Sequence, residues 1–454
     1  MLKNKYIYTA VLWGLAFLVT CFVNLEDGGM NPASRIAALR SIVTNGNFQI
    51  DQNIDTTIDW AKAPDRHYYS NKAPGGILLA APFFAVLDWL DWKIYFKGEG
   101  NWKNRPLPSR YARIALAVCT QAIPFILIFL FFISISGAQS VTQVSALALS
   151  LLFANTASIF MSTNFGHGLC AMFFFACVVA LLKERFFYSG LFFGLSFLSD
   201  YSGIALILPF VTGLISQHKN KKSIYFALLG TLIPAILWIS YHWICFGSPL
   251  AIAHQFQNPK FITPHDNDSI KFFGEMDLFP NFDILFELFL GSIRGMFWIM
   301  PWIFVTLFLS FKKFRTLSVN AKKILYISSS GLISLLWLNG SFVGWHGGGS
   351  PGPRYLSAIF PVLSLTLYYI YPYLKKSELK VLWASIIISV FFQCLALSST
   401  ILAKEEPIWI FYLGQLFITP PFKPMIRLAL YIIILLTSWL MINKKKSLPP
   451  PIKN

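Results

Sequence analysis

GGILLAAPFFAVLDWLDW, residues 75–92, is the segment on which the membrane topology of this chain depends. It is almost long enough and apolar enough for a membrane-spanning helix, but it carries Asp88 and Asp91 near its end. One additional crossing at this point would invert every segment that follows. Because Lys and Arg are enriched in the cytoplasmic loops of membrane proteins, the positions of the basic clusters indicate whether the segment crosses.

The basic clusters favour a segment 75–92 that stays on the outer face. In that case all of them fall in the cytoplasm, together with only two acids, Glu184 and Glu378. The clusters occupy residues 3–5, 183–185, 219–222, 312–315, 375–380 and 444–446. Topology then explains the formal net charge of +17, so that no nucleic-acid partner is needed. Both termini are predicted to be cytoplasmic.

The composition of the 454-residue chain excludes an ordinary water-soluble globule. Hydrophobic residues make up 56% of it and charged residues only 13%, whereas roughly 25% charge is usual in soluble domains. We predict one all-α polytopic membrane domain over residues 1–454, with about twelve transmembrane helices of about 20 residues each. The predicted crossings are residues 6–23, 114–135, 141–161, 169–182, the short pair 186–198 and 203–215, 224–246, 285–311, 324–342, 355–371, 381–402 and 425–442.

Two long outer loops, residues 24–113 and 247–283, hold most of the acidic side chains. Long polar loops beside a helical scaffold often carry function, so we expect the site on the extracytoplasmic face. Within the first loop, SRIAALRSIVTN at residues 34–45 has apolar residues at helical spacing and is followed by Gly46. This pattern predicts a juxtamembrane amphipathic helix.

Carboxylates in the first loop are the candidate general bases. Glu26 and Asp27 directly follow the first crossing, where a partly desolvated carboxylate can have a raised pKa and accept a proton from a hydroxyl. A helix cap or a solvated acid is the alternative. Asp51, Asp55 and Asp59 recur every four residues, so that a helix would align them on one face. A divalent cation there stays open, although no metal-binding signature is present.

RHYYSNKAPG, residues 66–75, is the strongest local signal for phosphate binding. Arg66 and Lys72 supply positive charge, and Tyr69 belongs to a pair of tyrosines suited to the membrane interface. Lys72 precedes a proline turn and can neutralise a phosphate whose hydrocarbon tail remains in the bilayer. A purely anchoring role for this segment is the alternative.

WHGGGSPGPRY, residues 345–355, is a glycine-rich outer turn with two candidate binding residues, His346 and Arg354. Its backbone amides can form an anion nest, to which Arg354 adds a charge-assisted hydrogen bond. A flexible connector is the alternative. Isolated polar residues near outer helix ends, His167, Asp200 and Arg294, complete the set.

The chain resembles the membrane glycosyltransferases of the GT-C superfamily, in particular the protein-mannosyltransferase and aminoarabinose-transferase group of glycosyltransferase family 39. The resemblance extends over most of the chain. It rests on an acid after the first crossing, a long outer loop and a Tyr-x-x-Lys-x-Pro element at residues 69–74, followed by an apolar helix that does not cross. GSIRGMFWIMP, residues 291–301, and GGGSPGPRYL, residues 347–356, are similar to later segments of related enzymes.

The resemblance implies transfer of a sugar from a polyprenyl-phosphate donor to a glycan, lipid or protein acceptor, with inversion at the anomeric carbon. It implies that Asp27 or Glu26 is the base and that Lys72 binds the donor phosphate. The chain has Ala73 where the family commonly has proline. Residues 162–167 lack the family's second acid, so either His167 substitutes for it or that function is absent. A bacterial inner membrane is the expected location.

Two other functions remain open from the sequence. An outer-face polysaccharide polymerase or ligase would also use a lipid-linked donor, but would carry its main loop late in the chain. A lipid-linked sugar transporter or flippase would show charges near the bilayer midplane and related halves with broken helices.

Overall fold

The computed structural model describes ten stretches of the chain between residues 2 and 444. They are residues 2–23, 29–95, 109–134, 140–161, 164–217, 221–261, 271–272, 276–399, 406–418 and 423–444. Helices α1 to α19 are, in chain order, Leu2–Val23, Met30–Asn45, Gly75–Tyr95, Ser109–Ala117, Ile123–Ser134, Val141–Leu152, Thr156–Met161, Gly166–Leu182, Phe186–Ser199, Ile207–Ser216, Lys221–Phe246, Phe282–Phe289, Met296–Ile299, Pro301–Lys312, Val319–Gly340, Phe360–Ile370, Lys376–Ser398, Ile408–Ile418 and Lys423–Lys444.

Within the described stretches, five helical segments are long and apolar enough to cross a membrane. They are Ile114–Phe132, Lys221–Phe246, Arg354–Tyr373, Lys376–Ser398 and Lys423–Asn443. Shorter apolar helices, including α1, α3, α8 and α9, accompany them. This architecture is compatible with the predicted all-α membrane protein, whereas the number of twelve crossings stays a prediction.

Two of the predicted crossings are interrupted helices, so the expectation of a single helix over residues 285–311 is wrong. Here α12 ends at Phe289, a turn containing Gly291 and Gly295 follows, and the short α13 precedes α14. A side chain at Gly295 would collide with the carbonyl oxygen of Gly291, so the turn needs its glycines. Pro301 then occupies the first turn of α14, where its missing N–H costs no hydrogen bond. Residues 141–161 divide in the same way into α6 and α7.

The segment that sets the topology, residues 75–92, lies within α3. The first residue of α3, Gly75, packs directly on the C-terminal end of α9, where an added Cβ would lie 2.7 Å from the carbonyl oxygen of Leu198. Helix α3 also packs along α2 and α4. Its helical structure is as expected, and its predicted position on the outer face stays a prediction.

The first loop folds into α2 and a β-hairpin that the sequence reasoning did not predict. Strand β1 (Trp60–Lys62) pairs with β2 (Tyr68–Ser70) in antiparallel register. Helix α2 ends at Gly46, whose φ of 68° is the left-handed conformation typical of a glycine after a helix. The helix is not a free amphipathic surface, because Ser34 is fully buried and donates to the backbone oxygen of Asp59.

A second short pair comprises β3 (Lys271–Phe272) and β4 (Met276–Asp277) in antiparallel register. Met276 also bridges to Phe342 after α15. This contact brings part of the second predicted outer loop against the chain segment that precedes the glycine-rich turn.

The three carboxylates of residues 51–59 do not share a helical face, so that expectation is wrong. A 3-10 helix spans Asp51–Thr56 and ends before Asp59. Asp51 lies 2.8 Å from Nδ1 of His67, whereas Asp59 lies 3.1 Å from Nζ of Lys72. Asp55 is exposed. Asp51 and Asp59 are therefore paired with two different basic residues, His67 and Lys72.

The two ends of the helices differ in chemistry. His167 and Asp200 stand at one end of the α8–α9 pair, and Lys183 stands in the turn at the other end. At the lysine-bearing end, Lys323 donates to the side-chain oxygen of Gln217, which joins the end of α10 to the start of α15. Lys312 and Lys313 at the end of α14 both pair with Glu378 at the start of α17, at 3.0 and 3.2 Å. The polar residues at the opposite end form the candidate site.

Candidate functional site

A cavity of about 150 Å³ lies where the loop before α3, the ends of α9 and α15 and the segment before α16 meet. Basic and acidic side chains line it, among them Lys72, His167 and Arg354. Apolar side chains line it as well, including Phe197, Ile204, Trp238, Leu338 and Phe342. An amphiphile with a charged group and a hydrocarbon tail matches this mixed lining.

Lys72 is held in the wall of the cavity by the hairpin. Its Nζ lies 3.1 Å from Oδ1 of Asp59, the residue immediately before β1. Its backbone N–H donates to Oγ of Ser70 at the end of β2. Burial lowers the pKa of Lys72, an effect that Asp59 opposes and that Arg354 and Arg35 reinforce. A bound anion would stabilise the charged ammonium.

Arg35 is the cation that the sequence reasoning left out of the site. It lies in α2, is only 1% exposed and lines the cavity. Its Nη1 donates to the carbonyl oxygen of Ala73 at 3.0 Å, and its Nε donates to Oδ1 of Asn31 at 3.2 Å. Burial lowers the pKa of Arg35, although Asp200 and Asp59 oppose this effect. The guanidinium therefore fixes the turn that follows Lys72.

His167 and Asp200 form a buried pair opposite the loop of Lys72. Nδ1 of His167 lies 2.9 Å from Oδ2 of Asp200. Oδ1 of Asp200 accepts hydrogen bonds from the backbone N–H and the hydroxyl of Ser202. Burial alone would raise the pKa of Asp200, but His167, Ser202 and Arg35 outweigh it and lower the pKa. The sequence offered His167 as a substitute for a missing acid, and the structure places an acid beside it.

Arg354 reaches the cavity from the end of the glycine-rich turn, where a 3-10 helix begins. Its Nη2 donates to the hydroxyl of Tyr355 at 2.9 Å, while its Nε has no hydrogen-bond partner among the described residues. Gly347, with a φ of 64°, packs directly against it, and an added Cβ would lie 2.8 Å from Nε of Arg354. The glycines of the turn thus make room for the guanidinium.

Among the described residues, the charges around the cavity leave one positive charge uncompensated when the histidines are neutral. Lys72, Arg35 and Arg354 are the basic groups, and Asp59 and Asp200 are the acidic ones. A buried cation without a matching anion is costly. An anionic ligand such as a phosphate would complete the balance.

Other predicted site residues lie away from the cavity wall. Arg66, with a φ of 71°, stands exposed in the hairpin turn. Tyr69 is buried and donates to Oδ2 of Asp65, which belongs to the same turn. His346 is exposed in the glycine-rich turn. Glu26 and Asp27 lie outside the described residues, so their role as base stays a prediction.

Arg294 joins two of the sequence motifs that were predicted separately. It is 1% exposed, and its guanidinium donates to the backbone oxygens of His346 at 3.2 Å and Gly348 at 2.8 Å. It also donates to the carbonyl oxygen of Ile293. Arg294 is therefore a positioning residue for the turn that leads to Arg354.

We expect Arg294→Leu to destabilise the protein by about 3 kcal/mol, because three backbone carbonyls lose a charged donor. Arg315→Leu, which removes an exposed arginine at the lysine-bearing end, is the matched control and should change stability by less than about 0.5 kcal/mol. Thermal unfolding of the purified variants in the same detergent measures both changes. Equal melting temperatures for the two variants would contradict the role given to Arg294.

No group of three or more His, Cys, Asp or Glu side chains suited to a metal ion occurs among the described residues. Five of the six cysteines, Cys119, Cys170, Cys177, Cys245 and Cys394, are buried and unpaired. The basic groups therefore account for the charge of the cavity, and a divalent cation stays an open expectation.

Some cavity residues could not be found from sequence patterns. Trp238 lies mid-helix in α11, and His254 lies in a 3-10 turn after it. Burial lowers the pKa of His254, and so does Lys72. A lone tryptophan in a crossing and a lone histidine in a loop carry no spacing signal, so only tertiary packing brings them to the site.

No family model matches the chain, and no curated protein matches it with significance.

Proposed function

We propose that this chain is an integral-membrane glycosyltransferase. It transfers a sugar from a polyprenyl-phosphate donor to an acceptor on the extracytoplasmic face, with inversion. The observation that carries the proposal is the convergence of Lys72, Arg35 and Arg354 on a cavity that apolar side chains also line. We further propose about twelve crossings of the bilayer and a bacterial inner membrane as the location.

The basic groups suit the departure of a phosphate. As the bond between the anomeric carbon and the phosphate oxygen breaks, its electron pair remains on the phosphate, and the negative charge there grows. Positive side chains already fixed in a desolvated site stabilise that charge. Lys72 is the first candidate because it can exchange its contact with Asp59 for one with the phosphate.

The acceptor side of the reaction needs a base. The acceptor hydroxyl attacks the anomeric carbon from the face opposite the phosphate, which inverts the configuration, and its proton passes to a carboxylate. Asp27 or Glu26 is proposed for this step from sequence position. Asp200 is less suited to it, because its lowered pKa and its contact with His167 favour a structural charge.

The apolar side chains that line the cavity suit the hydrocarbon tail of a lipid-linked donor. Ile204 precedes α10 and Trp238 belongs to α11, and both line the cavity. A separate apolar pocket is lined by Val211 of α10 and Leu228 of α11. We propose that the hydrocarbon tail lies along the apolar side chains of these two helices.

Sugar transfer by the purified protein tests the proposal. Polyprenyl-phosphate mannose, glucose and arabinose are incubated with a panel of hydroxyl-bearing glycans, lipids and peptides. We expect release of free polyprenyl phosphate together with a glycosylated acceptor. Failure to turn over any lipid-linked sugar would overturn the proposal.

Transport of a lipid-linked sugar is the second candidate, because interrupted helices occur at α6–α7 and at α12–α13–α14. Broken helices at binding sites are typical of transporters. Reconstituted vesicles distinguish the two functions. Movement of an intact donor between leaflets without sugar transfer would favour transport.

The orientation has its own test by cysteine labelling in intact cells. Asp55→Cys and Arg315→Cys place exposed thiols at the cavity-bearing and lysine-bearing ends, and the described native cysteines are buried. The positive-inside rule predicts that a membrane-impermeant maleimide labels position 55 at once and position 315 only after permeabilisation. The reverse pattern would place the cavity in the cytosol and exclude the proposed reaction side.

A further inference from the structure

Two asparagines in the cavity wall have unused hydrogen-bonding capacity. Asn339, near the end of α15, is 1% exposed, and neither its side-chain oxygen nor its side-chain nitrogen has a hydrogen-bond partner among the described residues. Asn71, next to Lys72, is 2% exposed, and its Oδ1 also lacks a partner there. Both side chains belong to residues that line the cavity.

Buried amides without partners are unfavourable for the fold. An unsatisfied buried polar group costs free energy that an apolar side chain of similar shape would avoid. By contrast, Lys72 and His167 in the same lining have partners, Asp59 and Asp200. The unpartnered amide groups of Asn71 and Asn339 therefore indicate a ligand with neutral hydrogen-bond donors and acceptors.

We propose that Asn71 and Asn339 bind hydroxyl groups of the donor sugar, while the basic side chains bind its phosphate. This inference rests on the proposed function. An amide both donates and accepts hydrogen bonds, which suits a hydroxyl, whereas an ammonium or guanidinium only donates. Asn71, Asn339 and Lys72 line one cavity, so a sugar and the phosphate that carries it can contact the amides and the ammonium together.

A neutral subsite explains how the protein can distinguish a loaded carrier from an unloaded one. The basic groups bind both lipids, because both carry phosphate, and the unloaded phosphomonoester even carries the larger negative charge. Only the loaded lipid can satisfy the amides. A site whose polar groups remain unpaired with the wrong ligand discriminates strongly against it.

Asn339→Leu tests the inference by binding of two probes, polyprenyl phosphate and polyprenyl phosphate bearing the sugar that the wild type transfers. We expect affinity for the sugar-bearing lipid to fall about 10-fold to 100-fold and affinity for the bare lipid to stay within about 2-fold. The ligand-free variant should be at least as stable as the wild type, because leucine removes an unsatisfied buried amide.

Asn258→Leu is the matched control. Asn258 is also buried, but its side chain donates to the carbonyl oxygen of Ile58 and accepts from the backbone N–H of Lys260. Its replacement should lower stability without selecting between the two lipids. Asn71→Ala should reproduce the selective loss seen with Asn339→Leu.

Each contrary outcome has a distinct meaning. Equal losses for both lipids, or destabilisation of Asn339→Leu like that of Asn258→Leu, would make the amides structural and overturn the inference alone. A raised KM for the acceptor with unchanged donor binding would assign them to the acceptor and overturn it as well. A wild type that binds neither lipid would overturn the proposed function and this inference together.

Discussion

Lys72→Ala is expected to reduce kcat/KM for the lipid-linked donor by about 100-fold, mainly through a higher KM. The lost ammonium is largely buried at the cavity, where a charged hydrogen bond to phosphate is worth about 3 kcal/mol. Lys62→Ala is the matched control, because Lys62 is exposed on β1 of the same hairpin. Steady-state kinetics with varied donor concentration measure the effect.

The Lys72 variant also needs a control for stability, since it leaves Asp59 without its basic partner in a largely buried position. Removing one partner of a buried ion pair can cost about 3–5 kcal/mol. The double variant Asp59→Ala/Lys72→Ala should recover much of that loss but none of the donor affinity. Recovery of both would show that Lys72 acts only by holding the hairpin.

The donor affinity of the wild type should also depend on pH. Below the lowered pKa of Lys72 the ammonium is charged and binds phosphate directly, whereas above it a proton must first be taken up. Affinity should therefore fall as pH rises, beginning at lower pH than for an ordinary lysine. In Lys72→Ala this dependence should vanish.

Asp27→Asn is expected to reduce sugar transfer by about 1000-fold, mostly in kcat, because the acceptor hydroxyl loses its base. Donor binding should change little, which separates this variant from Lys72→Ala. Glu26→Gln, one residue earlier, is the control and should retain most of the activity. Transfer rates at saturating donor, with donor binding measured separately, provide the comparison.

Full activity in Asp27→Asn would move the base elsewhere in the first loop. The structure already distinguishes the candidates there, since Asp51 is paired with His67 and Asp59 with Lys72. If Asp59 were the base, replacing either Asp59 or Lys72 would affect both proton transfer and donor binding, because the two side chains are paired. Loss of activity in Glu26→Gln instead would exchange the roles of the two neighbouring acids.

The sequence predicted the membrane class and part of the cavity. Lys72, His167 and Arg354 were chosen from three separate motifs, and the fold brings them to one site. Motifs at helix ends were informative, because an ionisable side chain beside a membrane crossing is costly and therefore often marks a functional site. Their pairing with Asp59, Asp200 and Tyr355 could not be predicted without the packing of the helices.

Arg35 and the hairpin show where local patterns were insufficient. Arg35 occurs in a helix whose spacing also suits the membrane surface, and tertiary contacts with the turn at Ala73 and with Gly166 bury it. Strands β1 and β2 are three residues each, which is too short for an alternating pattern to be recognised.

The lysine-bearing end of the helix bundle has a consequence for the surrounding lipids. Lys221, Lys222 and Lys312 are exposed there. At a cytoplasmic leaflet each such charge attracts acidic phospholipids by about 1 kcal/mol. We therefore expect anionic headgroups to form a persistent annulus around this end, to co-purify in mild detergent and to be displaced by high salt.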